Sequence, residues 1–206
     1  MSAFTLEARQ LACQRDERML FSGLNFHLYS GQILLIEGVN GAGKTSLLRI
    51  LTGLRQPDEG ELFWNNQSLD DLGATFYQDV AYIGHSNGLK DTLTAQENLR
   101  YVQALASPAL SIDESLQQVH LNGYQDTLVR YLSAGQRRRL ALARLLCTHK
   151  TLWILDEPFT SLDRASIQLV EHLMTAHVKQ GGMVIMTSHH ETHLPATLVQ
   201  KIELRR

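Results

Sequence analysis

The chain has 206 residues, 44% of them hydrophobic and 19% charged, with a formal net charge of −2. That length suffices for one substantial domain burying about 70% of its unfolded surface, and the near-neutral balance gives no reason to expect a nucleic-acid partner. No apolar run approaches the roughly 20 residues that span a bilayer, and the start, Met1 to Gln10, lacks the basic-then-apolar order of a signal peptide.

From Phe4 to Phe63 the pattern predicts short strands and turns interrupted by one helix. Gln32-Ile33-Leu34-Leu35-Ile36-Glu37 is a nearly continuous apolar run stopped by glycine, as in a strand buried on both faces. A helix beginning near Gly43 carries Leu47, Leu48, Ile50 and Leu51, spaced to pack on that strand's sheet. Gln56-Pro57-Asp58-Glu59-Gly60 is turn chemistry, and Glu61 to Trp64 reads as a strand. Val80 to Gly84 is another strand, followed by His85. From about Gly88 to Leu146 the pattern is mainly helical. Thr94 with Glu97 forms a capping-box signal for a helix through Leu99, Val102 and Leu105, broken at Ser107-Pro108. Leu152 to Leu155 and Met183 to Met186 are two more buried strands. Between them a helix near Arg164 to Gln180 carries Ile167, Val170, Leu173 and Met174. Strands alternating with helices predict a mostly parallel sheet covered on both faces, with the helical stretch as a lobe of its own. Cys13 and Cys147 have no metal-ligand spacing around them and read as two reduced thiols of a cytosolic protein.

Chemistry concentrates at four places. Gly38-Val39-Asn40-Gly41-Ala42-Gly43-Lys44-Thr45 fits G-x-x-x-x-G-K-[ST] after a strand and before a helix, with Ser46 following. Its glycines let backbone N–H groups point inward, and the helix N-terminus adds positive potential. Lys44 suits the β and γ phosphates of a nucleoside triphosphate, and the Thr45 hydroxyl suits Mg²⁺. Asp156 and Glu157 close the apolar strand at Leu152 to Leu155, where ligands of parallel sheets gather. Asp156 is the expected Mg²⁺ holder through water, and Glu157 is expected to orient and deprotonate the attacking water. His189, after the strand Met183 to Met186, is placed for the γ-phosphate or that water. Finally, Leu132-Ser133-Ala134-Gly135-Gln136 offers an N-cap serine and an open glycine ahead of a helix. The arginines after it, Arg137-Arg138-Arg139 and Arg144, read as a solvated helix face or basic patch.

In this order and spacing the motifs resemble the ATP-binding-cassette family of ATPases, over essentially the whole chain. The resemblance implies an α/β P-loop NTPase core, its sheet mostly parallel with N-terminal antiparallel strands, and an inserted α-helical subdomain. It implies a single ATP-binding domain over residues 1–206, with 1–87 and 147–206 as a RecA-like core and 88–146 as the helical subdomain. It also implies that two copies pair head to tail, so that Ser133, Ala134, Gly135 and Gln136 of one copy serve the ATP bound by the other. Ser161-Leu162-Asp163 is similar to the family's D-loop, and His189 to its switch histidine.

Two positions depart from the family pattern. His85 stands where glutamine is usual, at the loop expected to couple to a partner. Arg15 stands near the usual adenine-stacking aromatic, and its planar guanidinium can lie over a purine. With Tyr82-Ile83-Gly84-His85, Gly88-Leu89-Lys90, Leu93 to Leu99 and Trp153 to Phe159, these departures resemble one branch. It is the haem-exporter ATP-binding subunits of bacterial cytochrome c maturation. That resemblance implies ATP and Mg²⁺ as cofactors, integral-membrane permease subunits as partners, contact with a haem chaperone through the complex, and a peripheral place on the cytoplasmic face of the inner membrane. The catalytic residues alone leave open a cassette serving another transported species, or a soluble cassette acting on nucleic acid.

Overall fold

The computed structural model describes residues 4–204, so the outermost positions of the domain expected over 1–206, and the start of the Met1 to Gln10 stretch, lie outside the described residues. The chain opens with a hairpin of two long strands, β1 (Thr5–Arg15) and β2 (Arg18–Tyr29), rather than the short strands expected. Its two-residue turn places Asp16 and Glu17 at positive φ, 49° and 61°, the backbone that matches the right-handed twist of paired strands. Register shifts between Ala8 and Gln14 interrupt the apolar alternation, which is why the sequence conceals the length of these strands. There follow β3 (Ile33–Glu37), α1 (Lys44–Leu51), β4 (Glu59–Trp64), β5 (Gln67–Ser68), a short α2 (Leu69–Leu72) and β6 (Val80–Ile83). Three helices come next, α3 (Ala95–Gln103), α4 (Ile112–Gln118) and α5 (Ala134–Leu146). The chain closes with β7 (Leu152–Leu155), α6 (Arg164–Lys179), β8 (Met183–Thr187) and β9 (Val199–Glu203).

These strands form two sheets. An antiparallel sheet runs β2-β1-β4-β5, and a parallel sheet runs β6-β7-β8-β3-β9. The inner strands of the parallel sheet have no polar face, because each side packs on a different core. Leu34, Ile36, Leu152, Ile154, Met183 and Ile185 face one way, into a core closed by the antiparallel sheet and α1. Their neighbours Ile33, Leu35, Trp153, Leu155, Val184 and Met186 face the other way, against α5 and α6. A third core lies among the helices, built on Leu99, Leu116, Val129 and Leu132. Helix α5 takes part in two of them: Ala141, Leu142 and Leu145 face the sheet, while Leu140 and Ala143 face the helical core. Helix α3 ends at Gln103, so Leu105 falls beyond it and is 72% exposed instead of continuing the apolar stripe.

Candidate active site

Parallel strands point their C-terminal ends at one edge of the sheet, and four of them deliver the chemistry there. Strand β3 leads into the glycine loop, β6 into Gly84 and His85, β7 into Asp156 and Glu157, and β8 ends at Thr187 before His189. Within the loop, Gly43 sits at φ 101° as the N-cap of α1, and a Cβ there would lie 3.0 Å from Leu20 Cβ. Among the described residues no side-chain hydrogen bond caps this helix, whose N-terminal N–H groups suit an anion. Asn40, Gly41, Gly43, Lys44, Thr45 and Ser46 line a cavity of about 470 Å³, walled by Arg15, Asp16, Arg18 and Leu20 from the β1–β2 turn and by Glu157. Gly38 and Val39 stand at the loop's entrance, with Val39 59% exposed, and Ala42 turns into the core at 2%.

Lys44 Nζ donates to the Gly38 carbonyl at 2.7 Å and lies 3.0 Å from His189 Nε2. Burial lowers its pKa, while the charges of Glu157 and Asp156 oppose that shift. Thr45 Oγ1 donates to Asp156 Oδ2 at 2.9 Å. The other carboxylate oxygen is held by Thr187, whose hydroxyl donates to Asp156 Oδ1 at 2.8 Å and accepts from the Glu157 N–H at 2.9 Å. Glu157 occupies the left-handed region at φ 49°, a rare conformation for a residue with a side chain and one that clusters at functional sites. Its Oε1 lies 3.3 Å from His189 Nε2, and Thr160 Oγ1 donates to its Oε2 at 3.4 Å.

The structure brings the expected loop, strand-end acids and histidine into one cluster, with Arg15 at its rim. It does not bring the serine–glycine segment there. Ser133 caps α5: its hydroxyl accepts from the Gln136 N–H at 3.2 Å, and its own N–H donates to Gln136 Oε1 at 2.8 Å. Ser133 and Ala134 are exposed, and none of residues 132–136 lines the cavity. Gly135 instead adjoins the Ser161-Leu162-Asp163 turn, where a Cβ on it would lie 3.1 Å from the Ser161 carbonyl. Ser161 is at φ 64°, Leu162 packs into the sheet-facing core, and Asp163 caps α6 by accepting from the Ser166 N–H at 2.8 Å. His85 is exposed on the loop that follows β6.

Two groups escaped the sequence reading. Thr187 extends β8 one residue past the expected end, and only the pairing of β7 with β8 places it beside Asp156. The arginines of α5 are not a solvated face. Arg138 is 3% exposed and caps carbonyls in the cluster, while Arg137, Arg139 and Arg144 donate to carbonyls of neighbouring loops.

The family described as ABC transporter matches residues 21–160. The cytochrome c biogenesis ATP-binding export protein CcmA of Escherichia coli (strain K12) is 48% identical over 199 residues, covering 97% of this chain and 96% of that protein. A solved ATP-binding subunit of an ABC transporter is 24% identical with a TM-score of 0.80, covering 89% of this chain and 79% of that one. A dimeric ATP-binding cassette in a post-hydrolysis state, bound to ADP and Pi, is 24% identical with a TM-score of 0.76, covering 90% and 88%. At that identity the structural likeness speaks for the fold.

Proposed function

The chain belongs to the ABC transporter family of ATP-binding proteins, and from that premise we propose that it is the ATP-hydrolysing subunit of an inner-membrane complex that exports or delivers haem for c-type cytochrome biogenesis. The observation that carries the enzymatic part is the convergence of Lys44, Thr45, Asp156, Glu157 and His189 at one sheet edge. The cytochrome part is supported by the relative that is 48% identical over nearly the whole chain. Like other members of its family, the chain binds ATP and couples its hydrolysis to transport, working as a dimer beside permease subunits. On this reading residues 88–146 are a helical subdomain set into a core made of 1–87 and 147–206, and contact with a haem chaperone is made through the complex.

The triphosphate enters along the loop of Gly38 to Ser46, its phosphates meeting the N-terminal N–H groups of α1 and the Lys44 ammonium. Arg15 lies over the base. Thr45 Oγ1 and the Asp156 carboxylate, 2.9 Å apart, are the hard oxygen donors that Mg²⁺ takes. The bound ion would neutralise charge building on the phosphate oxygens. Glu157 Oε1 accepts the proton of the attacking water, and His189, 3.3 Å away, orients that carboxylate and meets the γ-phosphate. Ser133, Ala134, Gly135 and Gln136 close the site from a second copy, which the D-loop of Ser161-Leu162-Asp163 adjoins. His85 sits on the loop that couples the core to the permease.

Replacing Glu157 by Gln is expected to leave ATP binding intact and nearly stop turnover in a steady-state phosphate-release assay, and a wild-type rate would refute the base assignment. Deleting the gene is expected to abolish holo-cytochrome c, read by haem staining. Normal holo-cytochrome c with an unrelated permease co-purifying would assign the ATPase to another transported species.

A further inference from the structure

Arg138 uses every donor it has. Nε donates to the Pro158 carbonyl at 3.2 Å, and Nη1 to the Gly84 carbonyl and Asn87 Oδ1, both at 3.1 Å. Nη2 donates to the carbonyls of Asp156 at 2.7 Å and Glu157 at 2.8 Å. A guanidinium carries five N–H donors in a rigid planar fork, so this set of acceptors matches it one for one. None of the acceptors is a carboxylate, although the side chain is only 3% exposed. An uncompensated buried cation is costly; burial lowers the pKa of this one, and the nearby charges of Asp156 and Glu157 oppose that shift while carbonyl oxygens take its donors.

What the fork grips decides its role. Three successive carbonyls, Asp156, Glu157 and Pro158, are fastened to it, and the middle residue is the one at φ 49°. Such a backbone persists only where its surroundings over-determine it. The direction of the Glu157 carboxylate, 3.3 Å from His189, follows from that turn. The other arm of the fork holds Gly84 and Asn87, on either side of His85. Arg138 itself sits on α5, shortly after Ser133 to Gln136, on the helix shared by the sheet-facing and helical cores. Any displacement of α5 or of the His85 loop against the sheet therefore pulls on the backbone of Glu157.

We propose that Arg138 is a positioning residue for Glu157. Its guanidinium holds the left-handed turn that aims the carboxylate, and so makes the hydrolysis step, more than ATP binding, answer to the placement of the signature helix and the His85 loop. The inference rests on Glu157 being the base, and the test separates the two.

The full chain is purified as wild type, R138K, R138M, E157Q and the double variant R138K/E157Q, and ATP turnover is measured across ATP concentrations. R138K keeps the charge but offers three donors from a single point, so it carries the test should R138M fail to fold. The expected result is a kcat for R138K lower by roughly 10- to 100-fold, as for a small misplacement of a reacting group, with KM for ATP within about threefold. On the E157Q background the same change is expected to cause no further loss, since both act on one step. An R138K enzyme with wild-type kcat overturns the proposal, as does a loss appearing equally in KM or one that multiplies with E157Q. E157Q turning over at the wild-type rate instead removes the base assignment itself, whereas an inactive E157Q beside a normal R138K removes only the role of Arg138.

Discussion

At the residue scale, the cluster depends on Thr187 as much as on the acids beside it. Its hydroxyl fixes both Asp156 Oδ1 and the Glu157 N–H, and the residue is fully buried. Thr187→Val keeps the shape but leaves a buried acceptor and a part-buried donor unmatched, a cost of about 1–3 kcal/mol. Chemical denaturation is expected to register that loss, kcat to fall about tenfold, and Thr187→Ser to restore both. A valine variant with unchanged stability and turnover would remove the clamp from the account. The acids themselves were legible because an apolar run that ends in Asp-Glu after a phosphate-loop signature has few other readings. Thr187 was not, because its partner is 31 residues away in sequence and adjacent only through the β7–β8 pairing. Arg138 was not, because an arginine within a run looks solvated until the helix phase and its neighbours are known.

At the scale of elements, the strands buried on both faces, the capping box of α3 and the N-cap serine of α5 were readable from local pattern alone. The length of the β1–β2 hairpin and the end of α3 were not, since register shifts break the alternation of the strands and Leu105 keeps the apolar spacing past the last helical residue. The caps allow a controlled comparison. Thr94→Ala and Ser133→Ala each remove one N-cap bond, expected to cost about 1 kcal/mol in denaturant titration. Thr94 lies outside the cluster and its loss is expected to leave turnover alone, whereas Ser133→Ala is expected to lower turnover well beyond its effect on stability. Equal effects of the two on turnover would mean that Ser133 only caps its helix. A second element contact responds to pH. His177, near the end of α6, stacks on Trp153 of β7 at 3.8 Å between ring centroids, with Nε2 3.1 Å from the Thr151 carbonyl. Burial holds its pKa down at about 4 against an ordinary 6.5. The unfolded chain therefore binds the proton first as acidity rises, so this stabilisation is complete above about pH 6.5 and is lost as pH falls towards 4. The loss amounts to something on the order of 3 kcal/mol. His177→Phe, which keeps the stack, is expected to flatten that part of the stability–pH curve, and an unchanged slope would place the titration elsewhere.

At the scale of the whole molecule, the packing of α5 keeps the signature segment away from the phosphate loop of its own chain. Lys44, Thr45 and Glu157 share a cavity that no residue of 132–136 lines, while Ser133 and Ala134 stand exposed beside the Ser161 turn. If residues 132–136 serve an ATP site as proposed, a second copy must bring them to the phosphate loop. The test is a disulfide cross-link between two forms of the chain, one bearing Val39→Cys in the exposed part of the phosphate loop and the other Ala134→Cys in the signature. The native Cys13 and Cys147 are buried, and burial pushes the Cys147 thiol up to about 11, which keeps it from competing. On a background of Glu157→Gln, a mixed dimer is expected to accumulate with ATP and Mg²⁺ and to vanish when Lys44→Ala is added to the loop-bearing copy. Absence of that cross-link under ATP, or its formation regardless of nucleotide, would contradict a site completed by a partner.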